Sequence, residues 1–73
     1  MAMDFRFDGP KAAYDMAAKG WDIPKLASEA GLSTRTVYRF FNNEQQTLRT
    51  AKALADAMGY AVRRYLLSQS EVA

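Results

Sequence analysis

The chain has 73 residues, 49% of them hydrophobic and 25% charged, with a formal net charge of +2. That length suits one small domain with a modest core, and no separate effector-binding or catalytic domain is expected. Cysteine and histidine are both absent, which excludes disulfides and thiolate chemistry and removes the commonest general base and zinc ligand. No apolar run approaches the ~20 residues of a membrane span, and Asp4, Arg6 and Asp8 break any signal-peptide layout. A cytoplasmic chain with no cofactor, metal or small-molecule ligand is expected.

Met3-Asp4-Phe5-Arg6-Phe7-Asp8 alternates apolar and charged residues, the period of a strand with one buried face. No second strand is evident. The segment either pairs with its copy in a second subunit, or folds back on the core through Phe5 and Phe7. In an antiparallel pair centred on Phe5, Asp4 faces Arg6 of the partner subunit. Asp8-Gly9-Pro10 then starts a helix running to about Lys19, stopped by Gly20, with Ala13, Met16 and Ala17 inward.

Asp22 caps the next helix, with Pro24 early enough not to break it and Leu26, Ala27 and Ala30 on one face. Gly31 stops it, and Ser33 caps a third helix that points Val37 and Phe40 inward. Trp21 with Leu26, and Leu32 with Val37, fit hydrophobic staples where the chain enters these two helices. Residues 42–46 make a short polar connection. Thr47 caps a fourth helix to about Met58, striped by Leu48, Ala51, Leu54, Ala55 and Met58, and Gly59 ends it. A fifth helix is expected from Ala61 to about Ser68, with Val62, Tyr65 and Leu66 on one side. That side either closes the core or, through Tyr65 and Leu67, extends into a dimer contact. Residues 70–73 are expected to fray.

Ala27, Gly31 and Val37 resemble the three most characteristic positions of the helix-turn-helix DNA-binding motif. A small residue lets two helices approach, glycine makes the turn, and a branched residue packs the second helix on the first. Leu26, Ala30, Leu32 and Phe40 match its other apolar positions. Phe41-Asn42-Asn43 is similar to the end of the recognition helix in the Cro and lambda-repressor families. The run from Ser33 to Arg39 also resembles the recognition helix of the lac-repressor family. The likeness covers roughly residues 20 to 66. It departs at Met16, where the Cro-like pattern often has arginine, and at Ile23-Pro24, where glutamine is often found. The resemblance implies an all-α fold: a compact five-helix lambda-repressor-like domain over residues 10–69, preceded by a strand or arm over 1–9 and followed by a tail over 70–73. In that setting the arm has a third reading, a flexible segment that reaches DNA.

The basic excess supports the same reading. Residues 1–32 sum to −1 and residues 53–73 to zero. Residues 33–52 hold Arg35, Arg39, Arg49 and Lys52 against Glu44, a sum of +3, in the region where a DNA binder would carry its phosphate contacts. With Ser33 as cap, Thr34, Arg35, Tyr38 and Arg39 form the outer face of the third helix and are the candidate base-contacting residues. Arg35 and Arg39 lie four apart, so both point into one groove, and arginine can donate two hydrogen bonds to guanine O6 and N7. Thr34 offers a methyl and a hydroxyl to a base edge. Tyr38 either lies along the sugar–phosphate wall or packs on a neighbouring side chain. Candidate phosphate contacts are Lys25, Ser33, Thr36, Asn42, Asn43, Arg49 and Lys52. Those for Ser33, Thr36 and Asn42 come from the resemblance.

One such unit reads only a few base pairs, so a homodimer on a pseudo-palindromic duplex is expected. Its candidate contacts are Met3, Phe5, Phe7, Tyr65 and Leu67. The leading expectation is a sequence-specific transcriptional regulator similar to a Cro-like phage or prophage repressor. An antitoxin of the same fold, binding a toxin protein and its own operon, is the alternative, and a protein-interaction module is the third class. An enzyme is not expected, because no pair of acidic residues is spaced for acid/base or metal chemistry.

Overall fold

Residues 5–69 are described by a computed structural model, in which every α-helix starts at a capping side chain. The helices are α1 (Gly9–Ala18), α2 (Ile23–Ala30), α3 (Thr34–Phe41) and α4 (Leu48–Met58), preceded by Asp8, Asp22, Ser33 and Thr47. Each cap oxygen accepts a hydrogen bond from the amide three residues on, at 3.0 to 3.1 Å. This satisfies a first-turn amide that has no partner within its own helix. At the end of α2, Gly31 has φ 70°, and the amides of Leu32 and Gly31 donate to the carbonyls of Ala27 and Ser28 at 2.9 and 3.3 Å. Only a residue tolerant of the left-handed region closes a helix this way, and glycine does so without a Cβ clash. No helix among the described residues is long and apolar enough to cross a membrane.

The core forms where the four helices meet. Leu26 and Ala27 of α2 and Val37 and Phe40 of α3 are buried with Ala51, Leu54, Ala55 and Met58 of α4. The stripe on α4 follows the sequence period except at its first member, Leu48, which is 44% exposed. Gly9 is buried where the start of α1 meets the end of α3. A Cβ there would stand 2.5 Å from the Phe41 carbonyl oxygen and 2.6 Å from that of Phe40. Glycine is therefore required at this position for close approach.

The two ends of the described chain form a ribbon. β1 (Phe5–Phe7) pairs antiparallel with β2 (Leu66–Gln69), Arg6 opposite Ser68 and Phe7 opposite Leu66. That register leaves Leu67 as an extra residue on β2, a bulge of the kind that bends and twists a strand. The Phe7 side chain is buried and its ring lies 5.8 Å from that of Phe40. The carboxamide of Gln46 acts as a further partner for β1: its oxygen accepts from the Phe7 amide at 3.1 Å and its nitrogen donates to the Phe7 carbonyl at 3.0 Å. The same nitrogen reaches the Phe40 carbonyl and Asn43 Oδ1, both at 2.9 Å, so the ribbon is tied to the end of α3.

Several expectations are corrected by these features. The structure is mostly helical, but the described residues form four α-helices, not five. In place of the last helix stands one 3₁₀ turn (Val62–Tyr65) that runs directly into β2. A two-turn helix is marginal without packing on its own stripe, and the backbone from Leu66 is instead paired with β1. Of the readings open for the first segment, pairing with its copy gives way to a strand partner within the chain, and Phe7 folds back on the core. The inward face of α1 is also rotated: Gly9, Ala12 and Asp15 are buried while Ala17 is exposed.

Asp15 is the reason for that rotation. Its carboxylate accepts two hydrogen bonds from the Arg64 guanidinium, at 2.7 and 3.0 Å, and one from the Tyr65 hydroxyl at 2.6 Å. Arg64 lies 4.3 Å over the ring of Tyr60, which meets Tyr65 edge to face. A buried charge is tolerable when it is paired and its lone pairs are occupied. This cluster binds α1 to the 3₁₀ turn and makes Tyr65 a core residue.

Candidate nucleic-acid interface

α3 is divided lengthwise. Val37 and Phe40 have no accessible surface, and they hold the helix against α2, α4 and α1. Thr34, Arg35 and Tyr38 are exposed, Tyr38 at 60%, while Arg39 is half-buried. Two turns of helix thus offer threonine, two arginines and a tyrosine on the side away from the core. Arg35 makes no hydrogen bond or ion pair among the described residues. No described acidic side chain pairs with either arginine, so both charges remain available to an anionic ligand.

The polar residues expected to flank that face divide into three kinds. Ser33 Oγ caps α3 through the Thr36 amide at 3.1 Å and lies 2.9 Å from the Thr36 hydroxyl. The cap uses lone pairs and leaves hydroxyl geometry adjustable. Asn42 is exposed at the C-cap of α3. Asn43 is drawn into the following loop: φ is 62°, and its Oδ1 accepts from Gln46 at 2.9 Å and from the Gly9 amide at 3.4 Å. Its carboxamide oxygen is thereby committed to the protein.

The lysines expected at phosphates are paired along their own helices. Lys25 meets Glu29 at 3.1 Å and lies 5.4 Å from the centre of the Trp21 ring. Lys52 meets Asp56 at 3.0 Å. These pairs are about half exposed or more, worth ~0.5 kcal/mol or less each, so neither holds its lysine against a competing phosphate. Arg49 is exposed at the start of α4.

Two of the candidate dimer residues are consumed within the protomer. Phe7 and Tyr65 are buried in the core, so neither side chain presents surface to a second copy, and the expectation is corrected for both. Leu67, the bulged residue, is 62% exposed. Phe5 contributes its backbone to β1, and Met3 and the tail at 70–73 lie outside the described residues.

Sequence reasoning missed two residues in the connection between α3 and α4. Gln46 braces the ribbon, and Gln45 Oε1 accepts a hydrogen bond from Arg39 Nη1 at 2.6 Å. Nothing in the chain announces that pair, since a separation of six residues is not a helical neighbour spacing. No protein-family model and no curated protein sequence matches this chain.

Proposed function

We propose that this chain is a sequence-specific DNA-binding transcription regulator, similar to a Cro-like phage or prophage repressor. It binds a pseudo-palindromic operator in double-stranded DNA as a homodimer, with α3 in the major groove. The observation that carries the reading is the lengthwise division of α3: one side is locked in the core by Val37 and Phe40, and the other presents Thr34, Arg35, Tyr38 and Arg39. A rigidly seated helix of this width fits the major groove, and arginine is the commonest reader of guanine there. The helix–glycine–helix arrangement of α2 and α3 supports the same reading. Residues near the helix caps, with Lys25, Arg49 and Lys52, supply phosphate contacts that set register.

Selection of bound duplexes from a random DNA pool tests the proposal. The expected product is a motif of two inverted half-sites with centres about 10 base pairs, or a multiple of that, apart. A pool that shows no enrichment over its starting composition would overturn it.

A further inference from the structure

Gln45 is singled out by neither apolar periodicity nor charge, yet the loop after α3 is bent to deliver its side chain. The chain turns back over the end of that helix, with the amides of Asn43 and Glu44 donating to the carbonyls of Phe40 and Arg39 at 3.0 and 2.8 Å. Gln45 itself sits in left-handed backbone with φ 48°, a conformation costly for a residue with a Cβ. The other left-handed residue of the loop, Asn43, is accounted for by its bonds to Gln46 and Gly9. Among the described residues, the side chain of Gln45 bonds to Arg39 alone.

That bond fixes more than a distance. A guanidinium is a planar fork of five N–H groups. With Nη1 held by a neutral oxygen, the edge formed by Nε and Nη2 keeps two parallel donors and the full positive charge. Two parallel donors match O6 and N7 of guanine, whereas an unheld arginine sweeps across neighbouring base pairs and phosphates. A carboxylate in place of the amide would hold the fork equally well but cancel its charge.

We propose that Gln45 is a positioning residue that pre-orients Arg39, so that the Nε–Nη2 edge reads one guanine in each half-site. The inference rests on the DNA-binding reading of α3 and adds to it a specificity determinant outside that helix.

The test uses the full chain and its selected operator, with every base pair of one half-site substituted in turn and binding followed by fluorescence anisotropy. Arg39→Ala identifies the base pair that this arginine reads. Gln45→Ala is expected to reduce discrimination at that one pair by about fivefold to tenfold, leaving the other positions and random DNA within about twofold. The double variant is expected to discriminate no worse than Arg39→Ala alone, because the two act through one contact. Gln45→Gly removes the carboxamide while relieving the left-handed backbone, so it should melt no lower than the parent and lose the same discrimination. Unchanged discrimination at the Arg39 pair in both Gln45 variants, or equal weakening at every position, would overturn the positioning role alone. Failure of Arg39→Ala to affect any single position would instead remove the base-reading role of Arg39, and the inference with it.

Discussion

Asp15 is charged beneath the surface of α1, and the groups that hold it there give the fold a pH dependence. Its carboxyl is held below the ordinary value of 3.8, first by hydrogen bonding to Arg64, against the opposing effect of burial, with further help from the Tyr65 hydroxyl. A depressed value means that the folded state prefers the ionised form. The stabilisation is therefore complete above the ordinary carboxylate range and is lost as pH falls through the depressed value. Urea denaturation of the parent should show stability declining below about pH 4, and in Asp15→Asn that part of the decline should be missing. At neutral pH the same variant should be less stable by roughly 1–3 kcal/mol, because the buried tyrosine hydroxyl loses an ionised acceptor. Tyr65 is raised by burial and then by its bond to Asp15, so its own contribution is present below the ordinary tyrosine range and is lost only as pH rises through the raised value. Arg35 belongs to the same scale but to function. Arg35→Ala should cost ~1–3 kcal/mol of operator binding and relax preference at one base pair. Anisotropy on operator and random duplexes checks this, and equal loss on both would contradict base reading by this residue.

At the scale of elements, the contact between α1 and α3 is set by the absence of a side chain. Gly9→Ala gains a little helix propensity at a first-turn position, but its methyl would meet two backbone carbonyls of α3. Neither carbonyl can rotate away as a side chain would, so overpacking prevails and about 1–3 kcal/mol should be lost in chemical denaturation. The ribbon depends on Gln46 in the same way. Gln46→Ala should remove the carboxamide that ties Phe7 to the end of α3, and hydrogen exchange in the ribbon should accelerate relative to the parent. The caps, the glycine stops and the stripes of α2, α3 and α4 were legible in the sequence because each is a local rule acting within one helix. The end of the chain was not, because residues 61–68 carry helical spacing while the backbone after Tyr65 is claimed by β1, some sixty residues away. The face of α1 was misjudged for a related reason: apolar periodicity cannot announce a carboxylate that is buried only because Arg64 arrives beside it. In the candidate interface the outer face of α3 followed from helical geometry alone. The roles of Gln45, Gln46 and Asn43 follow from two left-handed residues in a loop without glycine, and no local pattern specifies those.

For the whole molecule, pairing β1 with β2 in one ribbon changes what a dimer can use. Phe7 and Tyr65 serve the protomer's own core, and exposed apolar surface near the ribbon is carried by Leu67. If that residue meets a second copy, Leu67→Asp should shift the dimer toward monomer in sedimentation velocity, without lowering the melting temperature of the protomer. The proposed function places the exposed side of α3 in the major groove, and guanine N7, which lies there, reports directly on it. Methylation of guanine N7 by dimethyl sulfate, mapped along the selected operator with and without protein, is the decisive measurement. Protection of a small set of guanines in each half-site is expected, with one of them regaining reactivity when Arg35→Ala replaces the parent. Guanines left as reactive in the complex as in free DNA would contradict a major-groove role for α3.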